Sequence, residues 1–196
     1  MAKQVELFVT ENPPSAIWKL PPPSEAGEYL LIGWRVYPEP VDGGVPPMVA
    51  EVLAGALCNC ATVSFLSDDF QRPRFTLFST LDPRVAIALF DDAAYPWTQH
   101  GQLALLSGKD TPPPDLTAKQ IRALTEHRNP DAAKQAGFTG MLLPGVDGDV
   151  AGLWIFDPAA KRQFMKALLR GCEAAGYPLS TTTEDEFRES LRCPGA

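Results

Sequence analysis

Histidine is nearly missing from this 196-residue chain: only His100 and His127 occur. No paired-histidine metal motif exists, and a histidine-dependent mechanism has just two candidates. His127 falls at the end of an expected helix, where it suits the helix dipole, and it reads as structural. The dinucleotide-binding glycine fingerprint, the phosphate-binding loop and the nucleophile elbow are absent too. Basic residues are the minority, with 17 Lys and Arg against 24 Asp and Glu and a net charge of −7. Binding to DNA, RNA or an anionic membrane needs clustered cations, so this balance argues against all three. It permits a basic protein partner. Cysteine is sparse: Cys58, Cys60, Cys172 and Cys193. Zinc needs four ligands at recognised spacings, and Cys58-Asn59-Cys60 has no second close Cys or His pair, so no metal site is expected. The thiols read as buried or incidental. No apolar run approaches the ~20 residues of a membrane span. No charged-then-apolar leader opens the sequence either. The expectation is a cytoplasmic setting, or delivery into a host or target cell without a classical signal peptide.

Proline is abundant, with 20 residues, about twice its usual share. Rigid loops and short elements follow. Val5–Val9 predicts a strand, and two proline clusters between Asn12 and Pro23 predict an extended connector. The run 28–37, EYLLIGWRVY, is rich in β-formers and almost continuously apolar, as a central strand would be. Met48, Val49, Val52, Leu53, Ala56 and Leu57 have helical spacing. Strands are expected at Ala61–Leu66, Arg74–Thr80 and Gln102–Leu106. Asp82-Pro83 begins a short helix over Arg84–Phe90, because Asp caps free N–H groups and Pro suits the first helical position. Capping boxes at Thr117–Gln120 and Thr183–Glu186 predict two more helices, and a short helix runs from Pro130 to Gly137. Two apolar runs, Phe138–Leu143 and Val150–Phe156, form adjacent strands about a Pro-Gly-Asp-Gly-Asp turn. Asp157-Pro158 then caps a helix with an apolar stripe of Phe164, Met165, Leu168, Leu169 and Cys172, ended by Gly176. The whole reads as α+β: residues 1–28 a proline-rich strand and connector, residues 29–196 a single compact domain. Mixed or antiparallel sheets with short flanking helices are expected.

Two segments carry a family resemblance. Residues 77–86, LFSTLDPRVA, pass from a strand ending in a Ser/Thr pair into an Asp-Pro helix start. Residues 136–140, AGFTG, lead through a strand and a loop to LWIFDP at 153–158. Together they resemble the strand-then-helix segment and the closing hairpin of ADP-ribosyltransferase-like domains. Arg35 lies on an upstream strand. The order Arg, Ser-Thr, acidic hairpin resembles the arginine–serine–glutamate branch of that fold. One departure stands out: that family carries a catalytic Glu in or just before its last strand, and here the place reads Val150-Ala151-Gly152-Leu153. Asp147 and Asp149 lie just upstream.

The resemblance implies an effector or toxin that uses NAD as a substrate to modify a protein target. Breaking the nicotinamide–ribose bond develops positive charge on the ribose, which a carboxylate stabilises. Asp149 takes that role with Asp147 in support. Arg35 would grip the diphosphate in a bidentate fork. Ser79 and Thr80 would brace the site, and Tyr95 or Trp97 would stack on nicotinamide. Each residue also has an ordinary reading. Asp147-Gly148-Asp149 suits a solvated hairpin turn, and Arg35 suits an ion-paired position near a strand end. Ser79-Thr80 suits a strand end before a helix cap, and Tyr95 and Trp97 suit packing beneath a loop. The alternative function is a non-catalytic immunity protein, antitoxin or inhibitor that binds a toxin or host protein.

Overall fold

The computed structural model describes residues 4–10, 29–37, 46–67, 74–78, 103–127, 130–143, 150–183, 185–186 and 189. Among the described residues eight strands form one mixed sheet. They are β1 (Gln4–Thr10), β2 (Tyr29–Tyr37), β3 (Ala61–Ser67), β4 (Arg74–Phe78), β5 (Leu103–Gly108), β6 (Gly140–Leu143), β7 (Val150–Ile155) and β8 (Leu179–Thr181). Their order across the sheet is β4-β3-β5-β6-β7-β2-β1-β8. Every neighbouring pair is antiparallel except β1 and β8, which run parallel. The described helices are α1 (Pro47–Cys60), α2 (Ala118–His127), α3 (Pro130–Gln135) and α4 (Pro158–Ala175).

Alternation along the strands splits the core in two, because successive side chains leave opposite faces of a sheet. Val5, Leu7 and Val9 of β1 join Leu30, Ile32, Trp34 and Val36 of β2 on one face. There they meet Leu53 and Leu57 of α1 and Phe164, Leu168 and Cys172 of α4. The other face presents Phe8, Leu66, Leu105 and Met141 to Leu124 of α2 and Ala133 of α3. In β5 the change of face comes between Ala104, Leu105 and Leu106; in β6 it comes between Met141 and Leu142. The fold is therefore α+β in three layers, with helices on both sides of the sheet. β2 is an interior strand, as its nearly continuous apolar run predicts. β1 pairs with β2 along its whole length, from Gln4 opposite Tyr37 to Thr10 opposite Leu31. Residues 4–10 thus belong to the same sheet as the rest, and are not an appendage to a domain beginning at 29.

The helix ends follow their sequence signals. Asp157 accepts a hydrogen bond from the Ala159 N–H at 2.9 Å, and Pro158 opens α4. At the other end Gly176 is left-handed, with φ 73°. Its N–H donates to the Glu173 carbonyl, and the Tyr177 N–H donates to the Cys172 carbonyl at 2.8 Å. Gly137, with φ 96°, closes α3 the same way: its N–H reaches Lys134 and the Phe138 N–H reaches Ala133. Both ends are Schellman motifs, which need a residue free of the Cβ clash at positive φ. The Thr117–Gln120 box is made in both directions. The Thr117 N–H donates to Gln120 Oε1 at 2.9 Å, and the Gln120 N–H donates to Thr117 Oγ1 at 3.3 Å. Thr183 and Glu186 repeat the pattern.

Several expectations need correction. Phe138 and Thr139 lie outside β6, because the Phe138 N–H is spent closing α3 and its ring fills the second core. β5 runs on to Gly108, past the expected end at Leu106. Leu169 is 46% exposed rather than buried, so the α4 stripe is narrower than read. β8 was not expected; three residues are too few to show a period. The expected helix over Arg84–Phe90 lies outside the described residues.

The helix glycines give a direct stability test. Gly137→Ala and Gly176→Ala should each cost about 1 kcal/mol, because both residues are held at positive φ. Gly55 sits inside α1 with nothing within 4 Å of a built Cβ. Gly55→Ala should therefore stabilise by about 0.5–1 kcal/mol. Urea unfolding of the three variants checks the opposite signs; a neutral Gly176→Ala would contradict the closing geometry of α4.

Candidate functional site

Of the residues the sequence nominates, Arg35 is the one within the described residues. It alternates with Trp34 and Val36, whose side chains fill the α1–α4 core, so Arg35 leaves the opposite face of β2. In register across the strand pair stands Glu6. The Arg35 Nη1 lies 4.0 Å from Glu6 Oε2, and the two side chains are 25% and 28% exposed. The guanidinium carbon also sits 5.4 Å from the centre of the Phe8 ring, two residues along β1 from Glu6. Gln4 Nε2 donates to the other Glu6 oxygen at 3.2 Å. Arg35 is thus flanked by a long cross-strand ion pair and a cation–π contact. At this exposure and distance the pair contributes about 0–1 kcal/mol, and the ring about 0.5–1 kcal/mol more. Glu6 and Phe8 were not singled out from the sequence. The one signal for Glu6 is that it breaks the apolar run of Val5, Leu7, Phe8 and Val9.

Asp147, Asp149, Ser79, Thr80, Tyr95 and Trp97 lie outside the described residues. The strands next to them are described, and the register fixes where those strands end. β7 begins at Val150, opposite Gly33, two residues before Arg35 on β2. β4 ends at Phe78, opposite Val63. The ladder from Val63 runs through Leu106 and Gly140 to Ile155, next to the Trp154–Tyr29 pair at the start of β2. Phe78 is therefore level with the beginning of β2, and Arg35 is near its end. β4 is also five strand positions from β2 in the sheet order. At about 4.8 Å per strand and 3.3 Å per residue, Phe78 and Arg35 are separated by roughly 30 Å. The sheet brings the start of β7 to the same end as Arg35 and carries the end of β4 to the opposite end.

No group of three His, Cys, Asp or Glu among the described residues could hold a metal ion. Two buried polar atoms there have no hydrogen-bond partner, Trp34 Nε1 and Ser107 Oγ. Trp34 faces the first core, and Ser107 shares the parity of Leu105, which faces the second. Opposite faces of the sheet cannot make one site of them.

Cys58 is half-buried, whereas Cys60 and Cys172 are buried; all three are free thiols. The Cys60 thiol donates weakly to the Leu57 carbonyl at 3.4 Å. Burial pushes it up to about 12. Burial likewise pushes Cys172 up to about 11. Neither is a nucleophile near neutral pH, since the thiolate is the reactive form. The sign of the linkage is clear. In the unfolded chain these thiols ionise near their ordinary 9.0, whereas the folded protein holds their protons longer. The stability they contribute is complete below pH 9. It falls as pH rises through about 11 for Cys172 and about 12 for Cys60. Urea melts between pH 8 and 11 should show this fall, and Cys60→Ala with Cys172→Ala should flatten it. At pH 8, iodoacetamide should reach Cys60 and Cys172 only after denaturation. Rapid labelling of either in the folded protein would refute their burial.

No helix among the described residues is long and apolar enough to cross a membrane. No family model, no curated protein and no solved structure matches this chain.

Proposed function

We propose that this chain is a non-catalytic protein-binding protein, of the kind that serves as an immunity protein, antitoxin or inhibitor. One observation carries the choice over an NAD-dependent transferase: the engagement of Arg35. A diphosphate-binding guanidinium must turn its donor fork outward to phosphate oxygens. Here one arm faces Glu6 and the plane lies near Phe8. An anion arriving at Arg35 would also meet the Glu6 carboxylate. The roughly 30 Å between Phe78 and Arg35 argues the same way, because a dinucleotide site needs its cation and its Ser/Thr pair in one cleft. The net charge of −7 supports a protein partner over a nucleic acid.

A second reading keeps one specific support. β7 begins opposite Gly33, so the residue after Asp149 pairs two positions from Arg35. In this reading the protein is an ADP-ribosyltransferase-like effector. Asp149 is the catalytic acid, Asp147 its support, Arg35 the phosphate ligand and NAD the substrate.

Purification of the tagged protein from its native source separates the two. The binding reading expects a stoichiometric complex with one protein and no release of nicotinamide when NAD is added to it or to the isolated chain. Nicotinamide release with labelling of a target protein would overturn it in favour of the transferase. In that event Asp149→Ala should remove at least 99% of the activity with little change in melting temperature. Full activity in that variant would exclude Asp149 from the site.

A further inference from the structure

The charge of this protein is unevenly placed. α4 carries Lys161, Arg162, Lys166 and Arg170 against one acid, Glu173. That is +3 for the helix, and against −7 for the whole chain it leaves −10 on the remainder. Arg162, Lys166 and Arg170 are all exposed and follow one another at intervals of four. At 100° and 1.5 Å per residue they form a ridge about 12 Å long, within an arc of about 80°. Leu169 is 46% exposed and lies beside that arc, about 20° from Arg162. It is the exposed large hydrophobic among the described residues. Glu173 sits at the C-terminal end of the same face. No ion pair involving Arg162, Lys166 or Arg170 is present among the described residues.

The back of the helix is fixed. Phe164, Leu168 and Cys172 are fully buried. Asp157 caps its start and Gly176 closes its end. At Gly171, a Cβ would stand 3.2 Å from Val52 Cγ1, so α1 lies close behind. The ridge is therefore presented on a rigid backbone, and a ligand would bear the ordering of its exposed side chains but not of the helix. Cations with no ion pair among the described residues, flanked by one exposed Leu, suit a ligand with carboxylates beside an apolar side chain. A nucleic acid or anionic membrane supplies the negative charge but, being extended, would have to approach a body carrying −10, and a nucleic acid backbone does not reward Leu169 beside the ridge. A compact protein segment meets the ridge alone.

We infer that the outer face of α4 is a docking surface for an acidic helical segment of a partner protein. Glutamates or aspartates at i, i+4 and i+8 would meet Arg170, Lys166 and Arg162, and an apolar residue beside them would cover Leu169. The inference rests on the protein-binding reading and names the surface that reading requires.

A fluorescein-labelled 20-residue helical peptide with Glu at i, i+4 and i+8 and one Leu between them is the probe, followed by anisotropy. A peptide of identical composition in permuted order is its control. The wild-type protein should bind the patterned peptide saturably and more weakly as salt rises. The variant Arg162→Glu/Lys166→Glu/Arg170→Glu should bind at least tenfold more weakly. Leu169→Ser, with every charge intact, should bind several-fold more weakly. These are exposed positions, and circular dichroism melts verify folding. No binding by the wild type would overturn the inference. So would equal binding by the triple variant, or equal binding of the permuted peptide with no effect of Leu169→Ser. Preferential binding of single-stranded RNA or anionic vesicles would overturn it as well. Salt-sensitive dimerisation of the wild type, lost in the triple variant, would assign the ridge to a second copy instead. The natively purified complex keeps the two failures apart. If it survives the triple substitution, the ridge assignment falls and the protein-binding reading stands. If the wild type forms no complex and consumes NAD, the reading itself falls.

Discussion

Coverage of a single sheet on both faces is the constraint from which the rest of this structure follows. An eight-stranded sheet with apolar residues at both parities has two surfaces to remove from water. α1 and α4 cover one, and α2 and α3 cover the other. Each strand must therefore hold its register, since a slip of one residue would exchange the two cores. That is why Leu105 and Leu106, adjacent in sequence, belong to different hydrophobic clusters. It also explains Arg35. On a strand whose even-numbered positions Leu30, Ile32, Trp34 and Val36 fill the first core, residue 35 has to face the other way.

Much of this was legible because the signals are local. The nearly continuous apolar run of β2, the capping boxes at Thr117 and Thr183, and the Asp-Pro start and Gly end of α4 are each decided within a few residues. They appear where the sequence puts them. What escaped depends on partners far away along the chain. Phe138 is apolar enough for a strand, yet it is claimed by the closure of α3. Leu169 fits an amphipathic stripe, yet α4 meets its neighbours through a narrower face. β8 is a strand because β1 offers it an edge, and nothing in Leu-Ser-Thr says so alone.

The candidate site was legible to a smaller degree, for the same reason. Residue type suggests chemistry, and strand order decides who meets whom. Arg35 suits a phosphate-binding role by type, but Glu6 and Phe8 reach it from the neighbouring strand. The cations of α4 do not show in the acidic total charge, because a total hides an uneven distribution. Their spacing becomes a surface only once the buried face of the helix is known.

β8 has a consequence for how the chain is made. Leu179 pairs with Leu7 and Thr181 with Val9, and the Thr182 N–H donates to the Val9 carbonyl. The hydroxyl of Thr182 reaches the same carbonyl across 173 positions of sequence. During synthesis β1 emerges well before β8, and its outer edge stays open until the intervening stretch of about 170 residues has followed it. An open strand edge is a template for unwanted pairing, and long-range closure is slow. At a few to about twenty residues per second, the wait is on the order of ten seconds or more. Over this interval the edge of β1 is exposed to unwanted pairing, and β8 is the segment that ends the exposure.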